Sequence, residues 1–271
     1  MKTILAPTDF SEVANNAVHY AASLANHFNA PLALLHSIAI PVLNGDTAVA
    51  LPFDELEKDS QDELQKLRNI LLAKFSNLSV TVLTKIGFAG DVIIEMTSNK
   101  AYEFVVMGIS GAGKLDSLMG SVATKVAKDA VVPSLIIPHD RHFELPKTIV
   151  AAFDLKEAKK GPDFDMLVHI AKVIPSKITA VNVLVDEQLK EQESKKGIEL
   201  TDQLFEGIEH NFVTVKASGI VEGIKDYCTV HPTDLLVMLK RKHGFFDLLL
   251  NGSKTHAMAF QTSIPLLILH E

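Results

Sequence analysis

The sequence is poor in aromatic residues and has almost no cysteine. Tryptophan is absent, aromatic residues make up 6% of the 271 residues, and Cys228 is the single cysteine. A chain with one cysteine cannot form an intramolecular disulfide or a zinc cluster of several cysteines. Hydrophobic residues still reach 47%, so buried cores must be built from valine, isoleucine, leucine and alanine. Such cores are typical of parallel sheets covered by helices.

Positive charge and long apolar segments are also scarce. The formal net charge is -7 at pH 7, so nonspecific nucleic-acid binding, which requires lysine and arginine to neutralise phosphates, is not expected. No apolar run approaches the ~20 residues of a membrane-spanning helix. The N-terminal segment lacks the apolar core and cleavage site of a signal peptide. We therefore expect an acidic, cytoplasmic protein with neither a nucleic-acid nor a membrane partner.

Short apolar runs alternate with amphipathic stretches along the whole chain, and the same order of segments occurs twice. In the first copy, the predicted strands are 3–7, 32–40, 79–84, 104–107 and 134–137. In the second copy, they are 148–153, 178–185, 212–215, 235–239 and 265–269. Strands that alternate with helices indicate a parallel sheet with right-handed crossovers.

Matching residues near the end of each copy support two homologous domains. The Gly-Ser pair at 120–121 corresponds to 252–253, and Val-Pro-Ser-Leu-Ile-Ile at 132–137 corresponds to Ile-Pro-Leu-Leu-Ile-Leu at 264–269. A repeat of this kind predicts tandem units. We predict α/β domains at 1–140 and 146–271 with a polar linker at 139–146. Each is expected to be Rossmann-like, with a five-stranded, mostly parallel sheet and helices on both faces.

A glycine-rich loop follows the fourth predicted strand of the first domain. It contains Gly108, Gly111, Gly113 and Gly120, and a helix from about Ser117 follows. Glycines let backbone amides approach an anion, and a helix N-terminus favours phosphate. Ligands of open parallel sheets bind at the carboxyl ends of the strands. The loop is therefore predicted to bind phosphate, the alternative being a glycine loop that only turns tightly.

The same loop resembles a P-loop only superficially. Gly108, Gly113 and Lys114 have nearly the required spacing, but Leu115 stands where a serine or threonine should bind magnesium. The loop also follows the fourth strand rather than the first. A P-loop nucleoside triphosphatase is therefore not expected.

Both halves of the chain resemble the universal stress protein family. That family has Pro-x-Asp at the end of its first strand and Gly-x2-Gly-x9-Gly-Ser/Thr after its fourth. This sequence has Pro-Thr-Asp at 7–9, then Gly108, Gly111 and Gly-Ser at 120–121. Eight residues, rather than nine, separate Gly111 from Gly120.

The resemblance implies a fold of the adenine nucleotide alpha hydrolase type and an adenine nucleotide as ligand. It assigns base contacts to Pro7, Asp9 and the region of Ser37. Ribose and phosphate contacts are assigned to Gly108, Gly111, Gly113, Gly120, Ser121 and Val122. The ligand would be ATP, ADP or AMP, accompanied where appropriate by Mg²⁺, and ATP hydrolysis would be slow at most.

The second domain departs further from the family pattern. Leu239 and Lys242 replace the two leading glycines, and their side chains would fill the space that phosphates need. We therefore expect the first domain to hold the nucleotide and the second not to hold ATP. The basic residues at 240–243 leave two alternatives for that loop, a different anion or a solvated basic surface.

Two functions remain open at this stage. The first is a stress-response nucleotide-binding protein that acts through conformation or protein partners, and the second is an interaction module that binds no nucleotide.

Relatives dimerise through their last strands, so the apolar segments 135–138 and 266–269 predict a pseudo-dimer within the chain and allow a further homodimer. No catalytic or metal-binding set has recognisable spacing, and Cys228 is expected to be a small buried hydrophobe.

Overall fold

The computed structural model describes residues 2–39, 53–98, 101–110, 119–152, 164–185, 191–240 and 263–270. These residues form two compact units, and the boundary between them falls between Phe143 and Glu144. This boundary lies within the predicted polar segment 139–146. None of the helices in the described ranges is long and apolar enough to cross a membrane.

The first unit alternates strands and helices around one parallel sheet. Its strands are β1 (Thr3–Pro7), β2 (Leu32–Ile38), β3 (Val80–Ile86), β4 (Tyr102–Gly108) and β5 (Ser134–Ile137). Its helices are α1 (Glu12–Phe28), α2 (Phe53–Lys74), α3 (Ala89–Thr97) and α4 (Ser121–Asp129). The strands lie in the order β3-β2-β1-β4-β5, and neighbouring strands are parallel. Right-handed crossovers then put α1 and α2 on one face and α3 and α4 on the other.

The second unit repeats this topology. Its strands are β6 (Thr148–Ala152), β7 (Lys177–Leu184), β8 (His210–Lys216), β9 (Leu235–Lys240) and β10 (Leu266–His270). Its helices are α5 (Asp165–Val173), α6 (Glu191–Leu204) and α7 (Ile220–Val230). The strand order β8-β7-β6-β9-β10, with parallel neighbours, corresponds strand for strand to the first unit. The predicted fold class, two tandem Rossmann-like α/β domains, is confirmed.

The core is aliphatic, as the composition predicts. Ile4, Leu5 and Ala6 of β1 are fully buried, and so are Val105 and Val106 of β4. Central strands of a parallel sheet are covered on both faces, so consecutive residues are apolar instead of alternating with polar ones. This burial fixes the positions of the two strands whose carboxyl ends border the candidate site.

The ends of α1 follow capping rules. Ser11 is its N-cap, and the Ser11 Oγ accepts a hydrogen bond from the Ala14 amide at 3.2 Å, as serine commonly does at this position. Asn29 ends the helix in a left-handed conformation, with φ 51 and ψ 40. The helix therefore starts immediately after the short turn that leaves β1.

The predicted start of α4 was wrong. The sequence predicts a helix from about residue 117, whereas α4 begins at Ser121 and Gly120 is its N-cap. The backbone of Gly120 is extended, with φ -60 and ψ 161, so α4 cannot continue through this residue towards the N-terminus. Residues 117 and 118 lie outside the described residues.

Candidate functional site

The strand order of the first unit reverses at β1. From β1 the chain passes to β2 and β3 on one side and then returns to β4 on the other side. In open parallel sheets, ligands bind in the crevice at the carboxyl ends of the strands where the order reverses. Pro7 and Gly108 are the last residues of β1 and β4, so both border this point.

Asp9 organises the turn between β1 and α1. Its Oδ1 accepts hydrogen bonds from the Ser11 amide at 3.0 Å and from the Ser11 Oγ at 2.5 Å. Ser11 in turn caps α1, so Asp9 supports the helix start indirectly. The residue is nevertheless exposed, which keeps its carboxylate at the surface of the carboxyl edge.

Phe10 adopts a backbone conformation that is rare for a bulky residue. Its φ is 63, in the left-handed region that normally favours glycine or asparagine. The Phe10 amide donates to the Thr8 Oγ1 at 2.9 Å, and the Phe10 carbonyl accepts from the Asn15 Nδ2 at 3.1 Å. Such a conformation costs on the order of 1–3 kcal/mol, which these hydrogen bonds help to offset.

The carboxyl end of β2 lies beside the same turn. The His36 Nδ1 is 2.8 Å from the Thr8 carbonyl oxygen, and because a carbonyl only accepts, this nitrogen carries the proton. The His36 ring also stacks on Phe10. Ser37 is half-buried and pairs in register with Lys85 of β3. Ser37 therefore reaches the same edge of the sheet as Pro7, one strand away.

Gly108 lies against helix α1. A Cβ atom at this position would be 2.8 Å from Val13 Cγ1 and 3.0 Å from the Val13 carbonyl oxygen. Both distances are shorter than ordinary van der Waals contacts, and one of them involves backbone. We predicted Gly108 as a ribose or phosphate contact, and the structure adds an independent reason for glycine here, the close approach of α1.

The N-terminus of α4 is tied to the end of β4. The Gly120 amide donates to the Ile109 carbonyl at 2.6 Å, and the first intrahelical bond runs from the Thr124 amide to the Gly120 carbonyl at 2.8 Å. The amides of Ser121 and Val122 precede that bond, so they have no acceptor within the helix. Gly120 also supplies no side-chain cap. A helix start of this kind favours an anion.

The structure thus brings most of the predicted site residues to one edge of the first sheet. The described members of this group are Pro7, Asp9, Ser37, Gly108, Gly120, Ser121 and Val122. The other two, Gly111 and Gly113, lie outside the described residues. Contact between these residues and a nucleotide stays a prediction.

Comparison with known proteins identifies the family. A model of the universal stress protein family matches residues 1–138. The chain belongs to the universal stress protein family. A universal stress protein of Methanocaldococcus jannaschii is 28% identical over 140 residues, which are 50% of this chain and 81% of the relative.

Solved structures of universal stress proteins share the fold of the complete chain. One from Archaeoglobus fulgidus covers 100% of this chain and 96% of its own, with a TM-score of 0.76 and 19% identity. Another from Pseudomonas aeruginosa covers 100% of this chain and 93% of its own, with a TM-score of 0.60 and 12% identity. The fold of this universal stress protein therefore also occurs in other solved structures.

Two residues of the edge were missed by sequence reasoning. Phe10 and His36 adjoin predicted base contacts, but neither was itself predicted to contact the ligand. Their ring contact joins positions that are distant in the chain. The sequence did offer one signal for this aromatic contact, because Phe10 directly follows Asp9, which was already predicted to contact the base.

Lys125 is the basic side chain one turn after the start of α4. Its Nζ is 2.5 Å from the Asp91 Oδ1 of α3. The aliphatic part of Lys125 lies over Gly90, where a Cβ would be 2.9 Å from Lys125 Cδ. The Lys125 side chain is 43% exposed and that of Asp91 60%, so solvent screens this pair, which contributes at most about 1 kcal/mol to stability.

The second unit of the universal stress protein has a corresponding reversal between β6 and β9. Leu239 pairs with Leu269 of β10, as Gly108 pairs with Ile137 of β5. Leu239 therefore occupies the register position of Gly108, and its side chain is 8% exposed. The second unit buries a leucine where the first has no side chain. The remaining predicted positions of this loop, among them Lys242, lie outside the described residues.

Potential metal ligands are dispersed in the part of the chain that the structure describes, and Cys228 lies in α7. Within those ranges, no group of three or more histidine, cysteine, aspartate and glutamate side chains could hold a metal ion. Burial raises the pKa of the half-buried Cys228 thiol, against a smaller opposing effect of the Thr233 hydrogen bond. The unreactive thiol form is therefore favoured.

Proposed function

We propose that the first unit of this universal stress protein binds an adenine nucleotide, ATP, ADP or AMP. The bound nucleotide would act through a change of conformation or through protein partners. The observation that carries the proposal is the start of α4, which the Gly120–Ile109 hydrogen bond holds beside the end of β4. This arrangement offers amides and a positive helix end beside the reversal of the strand order.

The two ends of the nucleotide would meet different groups. The base would contact Pro7, Asp9 and Ser37, at the ends of β1 and β2. Ribose and phosphates would contact Gly108, Gly111, Gly113, Gly120, Ser121 and Val122. Mg²⁺ would be bound through the phosphates of ATP. Hydrolysis would be slow at most, because we assign no general base to the attacking water.

The second unit would not hold ATP. The buried Leu239 side chain supports this part of the proposal, because it stands at the register position of Gly108. A homodimer of the chain and action through protein partners stay predictions.

Replacing Gly120 by aspartate tests the phosphate end of the site. The extended backbone of Gly120 suits an aspartate N-cap, so the stability of α4 should change by only a few tenths of a kcal/mol. Nucleotide affinity should fall at least about tenfold, or about 1.4 kcal/mol, because the carboxylate would compete with phosphate for the same amides. Affinity is measured by calorimetric titration with ATP and AMP.

Gly120→Asn is the matched control, since asparagine has the shape of aspartate without its charge. We expect G120N to retain most of the affinity that G120D loses, and both variants to melt like the parent. Full affinity in G120D would show that the phosphates bind elsewhere. A parent chain that binds no nucleotide would instead favour the interaction module.

A further inference from the structure

An aromatic pair lies between the two segments that are proposed to contact the base. Phe10 directly follows Asp9, and His36 directly precedes Ser37. The ring centroids of Phe10 and His36 are 4.5 Å apart, with 27° between the ring planes. The pair therefore joins the turn after β1 to the end of β2 at the carboxyl edge of the sheet.

Hydrogen bonds hold both residues of the pair in place. His36 Nδ1 donates to the Thr8 carbonyl at 2.8 Å, and the Phe10 amide donates to the Thr8 Oγ1 at 2.9 Å. The Phe10 carbonyl accepts from Asn15. Phe10 has a φ of 63, and residues held in such unfavourable conformations cluster at ligand sites.

Filling of the core does not account for this pair. Phe10 and His36 are both half-buried. By contrast, Ala6 of β1, four residues before Phe10, and Leu34 of β2, two residues before His36, are fully buried. The rings thus lie where the aliphatic core gives way to the carboxyl edge. Half-buried aromatic rings beside a ligand crevice suit a flat heteroaromatic group, because bases stack on aromatic side chains.

We propose that the Phe10–His36 pair is the stacking wall of the base subsite. The ligand class is a nucleotide with a planar base, and the pair would supply affinity that depends on that base. This inference rests on the proposed nucleotide function and deepens it. It assigns a base contact to two residues outside the Pro-x-Asp and glycine motifs.

Three variants separate the ring from the rest of each side chain. His36→Asn keeps an N–H donor near the Thr8 carbonyl but removes the ring. Phe10→Leu keeps apolar bulk without the ring, and Phe10→Tyr keeps the ring. Because H36N and F10L alter different elements, either one decides the question if the other fails to fold.

The second unit offers a matched control. Tyr227 stacks on His231 with ring centroids 4.0 Å apart and 12° between the planes. The His231 Nδ1 donates to the Tyr227 carbonyl at 2.9 Å, as the His36 Nδ1 donates to the Thr8 carbonyl. Unlike Phe10 and His36, Tyr227 and His231 are four residues apart at the end of α7. Tyr227→Leu therefore removes an aromatic–histidine stack from the unit that is not proposed to bind the nucleotide.

The readout is calorimetric titration of the full chain with AMP and, separately, with tripolyphosphate, which has no base. F10L and H36N should bind AMP about 5- to 150-fold more weakly, the range for loss of one base stack. Their affinity for tripolyphosphate should be unchanged, and F10Y and Y227L should match the parent for both ligands.

Parental AMP affinity in F10L and H36N would overturn the inference and leave the proposed function intact. Equal losses for AMP and tripolyphosphate would also overturn it, since the pair would then shape the whole site rather than contact the base. A parent that binds neither ligand would refute the proposed function and, with it, this inference.

Discussion

Replacing Gly108 by alanine should destabilise the first unit through helix packing alone. The added Cβ would lie 2.8 Å from Val13 Cγ1, 3.0 Å from the Val13 carbonyl oxygen and 3.2 Å from its carbonyl carbon. The Val13 methyl could rotate away, but the backbone of α1 cannot shift without disturbing its other contacts in a close-packed interior. Overpacking of this kind costs about 1–3 kcal/mol, and we expect about 2 kcal/mol.

Gly90→Ala provides a control with a contact of similar length. A Cβ at Gly90 would be 2.9 Å from Lys125 Cδ, but this neighbour is a flexible side chain on the surface. Alanine also has the higher helix propensity, so G90A should not be destabilised. Because the two contact distances are similar, a difference in stability between G108A and G90A would come from the rigidity of the neighbouring group.

Hydrogen exchange followed by mass spectrometry is the appropriate assay for G108A and G90A, because it reports α1 and β4 separately from the second unit. We expect faster exchange in those elements for G108A and parental exchange for G90A. Parental protection in G108A would refute the reasoning and would leave ligand binding as the explanation for glycine at this position.

Two further predictions concern a helix end and the effect of pH. Asn29 ends α1 at φ 51, a backbone conformation that suits glycine and disfavours valine. Asn29→Gly should therefore leave the melting temperature unchanged or raise it, whereas Asn29→Val should lower the free energy of unfolding by about 1 kcal/mol. Equal melting temperatures of the two variants would contradict this. Burial, followed by the charge of Lys74, lowers the pKa of His19 from 6.5, so the unfolded chain takes up that proton more readily and the first unit should lose stability as the pH falls through about 6.5. Burial opposes protonation of His210, but the hydrogen bond to Asp202 contributes to a net rise of its pKa. The protonated His210 therefore stabilises the second unit below pH 6.5, and this stabilisation is lost as the pH rises through the pKa of the folded state. Urea unfolding between pH 5.5 and 8 should show these opposite trends, removed by His19→Gln and His210→Gln respectively; the same trend in both units would contradict the assignment.

The fold could be predicted from the sequence because each element has a local signal. The bounds of β1 and β5 agree with the predicted strands at 3–7 and 134–137, since short aliphatic runs between polar turns are typical of buried parallel strands. The internal repeat and the right-handed crossovers then predicted two parallel α/β units, whereas the order of the strands came from the structure. The error at the start of α4 arose because helical periodicity does not mark the extended N-cap at Gly120.

The site could be predicted only in outline. Family motifs located Pro7, Asp9 and the glycines, but they could not distinguish a glycine that contacts phosphate from one that accommodates a helix, and Gly108 has the second reason in the structure. The Phe10–His36 stack requires a positive φ at phenylalanine and a contact between distant residues. No rule of local propensity favours either feature.

The most direct measurement of the central claim is the nucleotide stoichiometry of the full chain. Protein stripped of bound nucleotide would be titrated with ATP, with Mg²⁺ present, and with AMP in a calorimeter, and nucleotide released from freshly purified protein would be quantified by chromatography. The proposed function predicts about one adenine nucleotide per chain, bound by the first unit and lost in G120D. Two per chain would contradict the blocked second unit, and none in either experiment would contradict nucleotide binding altogether.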